Sequence, residues 1–521
     1  MSLLKAMAAV GGLTFVSRVA GFARDLITSH TLGAGPVADA FFVALKLPNF
    51  FRSITAEGAF SISFVPLYTD QTIQQGQGSA SDFASTALSF MVLVLLPFSV
   101  LMMWAMPWVM IFLAPGFEND PYRFDLAVEM ARLSFPYLLL VTIAAILGAV
   151  LNAHQKFGPY AFAPVIFNLC LIVSVVFTPL FETQGHAMAV FMSLSGALQA
   201  LWVWAYIRRM NIGIRFVWPR LSPEIRLLFK NMGPGILVAG IFQVNLFMNL
   251  MIGSFLAEGA ISHLYYADRL YQLPFGIIGI AIGTALLPLF SAALTKQDMT
   301  ETKDLFSRSV EYVLILCLPC AFGLLLAAEP LIQTIFEHGA FTADDTRSTT
   351  LVMMAYALGL PAYVLTRIYN AAFYAQKDTW TPVKISMITT AANIILSILL
   401  AFPFGVMGIA LSTSVCGWIL LYLLLVAARR STLPLYMDER LSRNLPKIFF
   451  SCGLLITGLV MMRYGFDYIS PSADSWALRA AELVALIAVS FSLYFPALFF
   501  TRAIRTADVK RYLTRKGRSL S

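Results

Sequence analysis

The chain has 521 residues, of which 59% are hydrophobic and 12% charged, with a formal net charge of +8. Its mean hydropathy is +0.77. These values exclude a soluble globular domain and point to a polytopic membrane protein.

Apolar runs of about 20 residues, the length a helix needs to cross a bilayer, recur along the whole sequence. Fourteen are expected, near 7–30, 37–68, 83–113, 126–151, 159–180, 186–207, 231–256, 262–294, 309–336, 348–375, 382–402, 406–428, 446–467 and 475–501. Each is continuous rather than alternating, so the expected fold is all-α and not a transmembrane barrel. Lys5 followed by "AMAAVGGLTFV" has the outline of a signal peptide. Arg18 interrupts its apolar region and no small-residue cleavage site precedes it, so residues 1–30 read as a resident helix.

Basic residues crowd alternate connections: Arg208, Arg209, Arg215, Arg220, Arg226 and Lys230, then Lys296, Lys303 and Arg308, then Arg429, Arg430, Arg440, Arg443 and Lys447. The tail beyond 501 adds more, while the intervening connections hold little beyond Arg123, Arg347, Arg463 and Arg479. This is the positive-inside pattern with both termini cytoplasmic, and it accounts for the charge without nucleic acid. The cysteines lie within apolar runs, where "CLPC" at 317–320 reads as packing thiols and not as a redox motif.

Residues 31–42, "TLGAGPVADAFF", lie over 255–266, "FLAEGAISHLYY"; farther on "FVPLY" at 64–68 falls on "LLPLF" at 286–290, and "HQKFGP" at 154–159 on "AQKDTW" at 375–380. The matches are collinear. They imply two six-helix bundles, roughly 1–210 and 222–428, as parallel repeats, with two unmatched helices in 446–503. Such a pair suits alternating access around a site near the midplane. The unmatched helices are candidates for a groove holding a lipid tail; the other reading is an appendage that stabilises the fold.

Charge inside the membrane is costly and normally faces a cavity or a partner. Here Arg18, Arg24, Asp25, Asp39, Lys46, Arg52 and Glu57 fall in the first two segments, and Asp268 and Arg269 in the eighth. Arg18 and Arg24 lie about 9 Å apart along an ideal helix and point about 120° apart, so they suit a wide concave wall and not a narrow stripe. The surplus of arginine and lysine asks for an anionic ligand, and guanidinium suits bidentate contact with phosphate oxygens. The alternative is a set of buried ion pairs that fix helix register, Arg24 with Asp39 for example.

"GIIGIAIGTA" at 276–285 spaces Gly279 and Gly283 for close helix packing, and "GPG" at 233–235 and Pro274 are candidate bends. Gln243, Asn245 and Asn249 read as interhelical hydrogen-bonding groups. No nucleotide-binding loop is present, so the expected drive is the membrane potential or an ion gradient. Runs 231–257 and 382–428 contain no Asp or Glu, so a carboxylate-based cation site is not apparent in the second half apart from Asp268, and Asp25, Asp39 and Glu57 are the candidates to carry protons instead.

The stretches "SRVAGFARD" (17–25), "GAGPVADAFFVALKLPNFFRSITAEGAFSISFVP" (33–66), "APGF" (114–117), "LNAHQKFGPYAFAP" (151–164) and "YYADRLYQLPFGIIGIAIGTALLP" (265–288) closely resemble the MurJ (MviN) lipid II flippases of bacterial inner membranes. The resemblance runs over nearly the whole chain. It implies a fourteen-helix exporter that turns undecaprenyl-diphosphate-linked peptidoglycan precursor from the cytoplasmic to the periplasmic leaflet, without a cofactor or resident metal. It further implies that Arg18, Arg24, Arg52 and Arg269 hold the diphosphate, that Asp39 matters, and that peptidoglycan-synthesis proteins are candidate partners. The alternatives from the residues are export of another polyprenyl-diphosphate-linked glycan and multidrug/cation antiport. An enzyme would need acidic ligands or a base near the surface, and Glu118, Asp120 and Asp125, the one local acidic cluster, read as a solvated loop.

Overall fold

The computed structural model describes residues 3–53, 60–431, 435–469 and 475–504, and among these there is no strand. In chain order the helices are α1 (Leu3–Leu32), α2 (Pro36–Arg52), α3 (Ser61–Trp104), α4 (Met106–Leu113), α5 (Pro121–Ser134), α6 (Tyr137–Ala153), α7 (Gly158–Ala161), α8 (Ala163–Val173) and α9 (Gln184–Arg209). They continue with α10 (Pro223–Ser254), α11 (Ala260–Thr295), α12 (Met299–Leu326), α13 (Ala328–Phe336), α14 (Ala343–Ala375), α15 (Trp380–Arg430), α16 (Glu439–Ile469) and α17 (Trp476–Phe500). The fold is an all-helical polytopic membrane fold. Among the described residues, ten helical stretches are long and apolar enough to cross a bilayer.

Helices α1, α2 and α10 are not among the ten, and two expected runs fall in one stretch. The expected run 37–68 is divided, because α2 ends at Arg52 and α3 begins at Ser61. The runs 382–402 and 406–428 fall in one helical stretch, α15, broken at Gly405, whose φ of 57° and ψ of −139° suit glycine alone. Gly76 interrupts α3 in the same way, with φ 87°. Run 309–336 is split between α12 and α13. Glu57 and the basic tail beyond 504 lie outside the described residues.

Side-chain caps close several helix starts: Asp120 accepts from the Arg123 amide at α5, Thr183 from His186 at α9, Ser222 from Ile225 at α10 and Ser475 from Leu478 at α17. Large apolar side chains remain exposed along the long helices, among them Leu93, Val94, Leu96, Val100 and Leu101 of α3. Water would penalise such a stripe, and lipid does not.

The chain forms two compact units, Met1–Ser262 with His338–Thr342, and His263–Glu337 with Ala343–Ser521. In the first, α9 packs on α5, α6 and α8, α2 on α5, and α3 on α6 and α10. Phe60, Phe64, Tyr68 and Phe83 stack with centroids 4.9, 5.6 and 5.3 Å apart, closing α3 on itself across Gly76. In the second, Phe290, Phe306, Leu360, Leu424, Leu455 and Tyr494 belong to one buried cluster. Here α16 packs on α12 and α17, and α17 on α13. The Tyr494 hydroxyl donates to the Ile315 carbonyl at 2.8 Å, and Asn444 to Glu311 at 2.6 Å. Arg308 bridges Glu311 and Asp438. Among the described residues, a Cβ on Gly283 would meet nothing within 4 Å and one on Gly279 would meet only Phe275 of the same helix, so the close packing expected there is not seen. All five cysteines are free.

Candidate functional site

The first unit gathers most of the charges singled out above. Arg24 of α1 is 8% exposed. Its guanidinium donates to Asp25 Oδ1 through Nε at 3.1 Å and Nη2 at 2.6 Å, and to Asn168 Oδ1 through Nη1 at 3.0 Å. Asn168 of α8 donates in turn to the Ser17 carbonyl at 3.1 Å, and the Phe167 ring lies 5.7 Å from Arg24 Cζ. A buried arginine thus has an adjacent carboxylate, an amide and an aromatic face, the set needed to hold a charge away from water. Arg18, nearly two turns earlier on α1, is exposed.

Asp39 of α2 is fully buried. Its carboxylate accepts from the Gly259 amide at 2.8 Å, the Ser262 amide at 2.9 Å and the Ser262 hydroxyl at 2.6 Å. These amides open α11, so Asp39 supplies from another helix the anionic cap that a helix start lacks. Arg123 Nη1 stands 3.5 Å from Asp39 Oδ2, with its Nε 3.0 Å from Asp120 and its Cζ 4.6 Å from the centroid of the Phe117 ring. Arg24 and Asp39, considered as partners from sequence, each have a different one.

Beside this cap, two loops grip two helix ends. The Gly116 amide donates to Ser254 Oγ at 3.0 Å at the end of α10, and a Cβ on Gly116 would come within 2.3 Å of the Ser254 carbonyl. The Ala340 amide donates to the His30 carbonyl at 2.8 Å near the end of α1. Gly339 next to it has φ +63°, and a Cβ there would lie 2.3 Å from the same carbonyl.

Lys46 and Arg52 of α2 are half-buried, and Arg52 Nε donates to Asn49 at 3.1 Å. Next to them Gln243 of α10 donates to Ser53 Oγ at 2.8 Å, matching its reading as an interhelical group. In the second unit Asp268 and Arg269 of α11 are half-buried. Asp268 accepts from Gln272, and Arg269 Cζ lies 4.6 Å from the centroid of the Tyr265 ring. His263 on the same helix contacts Thr349 Oγ1 at 3.0 Å and Asp345 at 3.8 Å.

Sequence reasoning missed Asn168, Arg123 and Ser262. Asn168 is the one polar amide in the apolar run of α8, which is its signal; Arg123 follows the capping Asp120 by three residues but reads as a loop charge. Ser262 carries no signal beyond its place at a helix start. Glu129, Glu182 and His186 bring possible metal-ligand atoms within 4.8 Å of one another. His186 already contacts Glu129 at 3.0 Å and Thr183 at 2.9 Å, so the group serves as a polar link between α5 and α9.

A family model described as lipid II flippase MurJ matches residues 28–470. A probable lipid II flippase MurJ of Rhizobium meliloti (strain 1021) is 36% identical over 525 residues, covering 99% of this chain and 97% of its own length. One of Rhizobium tropici is 34% identical over 524 residues, with the same coverage. Among solved structures, a lipid II flippase MurJ in an inward closed conformation matches with a TM-score of 0.76 at 24% identity, over 95% of this chain and 99% of that one. An inward-facing multidrug resistance MATE family transporter matches with a TM-score of 0.67 at 13% identity, over 81% of this chain and 97% of that one. At these identities the structural matches bear on the fold alone.

Proposed function

Because this chain belongs to the lipid II flippase MurJ family, we propose that it carries lipid II from the cytoplasmic to the periplasmic leaflet of the bacterial inner membrane by alternating access. In this reading fourteen segments cross the bilayer as two parallel six-helix repeats plus α16 and α17, with both termini cytoplasmic. The observation that carries it is the set of arginines on α1 and α2, with Arg24 held in a buried polar nest.

The diphosphate is a dianionic group whose oxygens match the guanidinium fork. Arg24 is oriented by Asn168 and balanced by Asp25, so an arriving phosphate oxygen exchanges for a carboxylate oxygen and no bare charge is buried in the empty state. Arg18, exposed on the same helix, supplies the positive surplus. Arg52 and Lys46 extend it within the first unit. A cationic set disfavours a cation as cargo, which weighs against multidrug/cation antiport. The alternative cargo, another polyprenyl-diphosphate-linked glycan, shares the diphosphate and differs only in the sugar.

The same charges give the membrane potential a purchase. Outward movement of an anionic headgroup and inward return of a cationic site are both favoured when the cytoplasm is negative, by about 2.3 kcal/mol per charge per 100 mV. Asp39 holds the start of α11, and the two loop grips hold the ends of α1 and α10. The test is leaflet-resolved accessibility of lipid II in cells depleted of this protein: the precursor is expected to remain inside, and its normal appearance outside without another exporter contradicts the proposal.

A further inference from the structure

The motif "HQKFGP" at 154–159 takes no part in the proposed diphosphate site, yet it borders a cavity of about 550 Å³ on the first unit. Its walls include Leu13 of α1, Phe162 at the start of α8, and Trp202 and Tyr206 of α9, and Lys156 and Arg209 stand at it as well. We propose that it binds one anionic glycerophospholipid of the cytoplasmic leaflet, its phosphate on Lys156 and Arg209 and an acyl chain along Leu13, Phe162 and Trp202.

Three observations support this. The cavity is built: Gln155, with φ 58°, turns the chain at the end of α6, and the Lys156 amide donates back to the Leu151 carbonyl at 2.8 Å. Trp202 Nε1 pins the loop through the Pro159 carbonyl at 3.0 Å. The aromatic wall is continuous, with Phe162, Trp202 and Tyr206 centroids spaced 5.2 Å apart in turn. The charge is uncompensated locally: the lining holds no Asp or Glu, and neither do the segments 151–164 and 200–213 that form most of it. Arg209 and Lys156 are exposed, and Arg209 lies 5.5 Å from the centroid of the Tyr206 ring. Aromatic rings next to paired cations at the basic end of membrane helices match a lipid headgroup boundary, with the apolar wall below it for the chain. Free phosphate would use the cations and leave the wall empty.

The test uses the full-length protein in non-ionic detergent, with phosphatidylglycerol, phosphatidylcholine and inorganic phosphate as probes and retained lipid counted by native mass spectrometry. One phosphatidylglycerol is expected to be retained in preference to phosphatidylcholine, and inorganic phosphate is expected not to displace it. Its affinity is expected to fall by roughly tenfold or more in K156Q/R209Q and to persist in K156R/R209K. W202A, which removes the wall, is expected to weaken retention with the cations intact. Unchanged phosphatidylglycerol retention in K156Q/R209Q at an unchanged melting temperature would overturn the proposal. So would equal retention of the two lipids, or displacement by inorganic phosphate.

Discussion

Asp39 Oδ1 accepts both the hydroxyl of Ser262, at 2.6 Å, and its amide, at 2.9 Å, while Oδ2 takes the Gly259 amide at 2.8 Å. One carboxylate from α2 thereby fixes the first turn of α11 and balances Arg123. Asp39→Asn keeps the shape but removes the charge, and breaking a buried pair of this kind costs about 3–5 kcal/mol. Ser262→Ala removes one hydrogen bond and costs roughly 1–2 kcal/mol. Thermal unfolding in detergent checks the order; equal melting of Asp39→Asn and the parent would show that the cap does not hold this end.

Arg24→Lys keeps a positive charge but loses the two-nitrogen grip on Asp25 and the third contact to Asn168. Transport is expected to drop by about tenfold or more at unchanged protein level. Wild-type transport in this variant would remove Arg24 from the diphosphate site.

Gly339→Ala meets both a left-handed backbone and a carbonyl 2.3 Å away, and Gly116→Ala meets the Ser254 carbonyl at the same distance. Both are expected to lower the melting temperature, Gly339→Ala more. Gly283→Ala, with open space around it, is the control and is expected to be neutral or slightly stabilising. A Gly116→Ala protein that melts like the parent would mean that the loop yields freely.

In the loop before α15, Asp378 accepts from the Trp380 and Thr381 amides at 3.1 and 3.0 Å. Its pKa is held below the usual carboxylate value, first by the Thr381 side-chain hydrogen bond and then by the backbone ones. A depressed pKa means that the stabilisation is present above the unfolded carboxylate value and is lost as pH falls through the lower folded one. Amide exchange in the first turn of α15 is therefore expected to speed up in Asp378→Ala at neutral pH. Identical protection in parent and variant would remove the cap.

Much of this was legible in the sequence because the bilayer imposes strong rules: apolar runs gave the helices, and the gap at 403–405 between two runs is where Gly405 breaks α15. The charges on α1 and α2 stood out for the same reason. Their pairing did not, since Arg24 meets Asn168 across 144 residues and Asp39 meets Ser262 across 223. Such contacts depend on which helix faces pack together, and periodicity does not encode that. Arg123 shows the opposite error: at the edge of a run it reads as a loop charge, yet it is 6% exposed beneath Phe117.

In the proposed function, lipid II crosses the membrane through the α1–α2 arginines. The most direct test of this measures externally accessible lipid II in cells where this protein, or its Arg24→Ala variant, is the sole exporter. Normal external precursor is expected with the parent, and retention in the inner leaflet with the variant at equal protein level. Equal external precursor with both would contradict it.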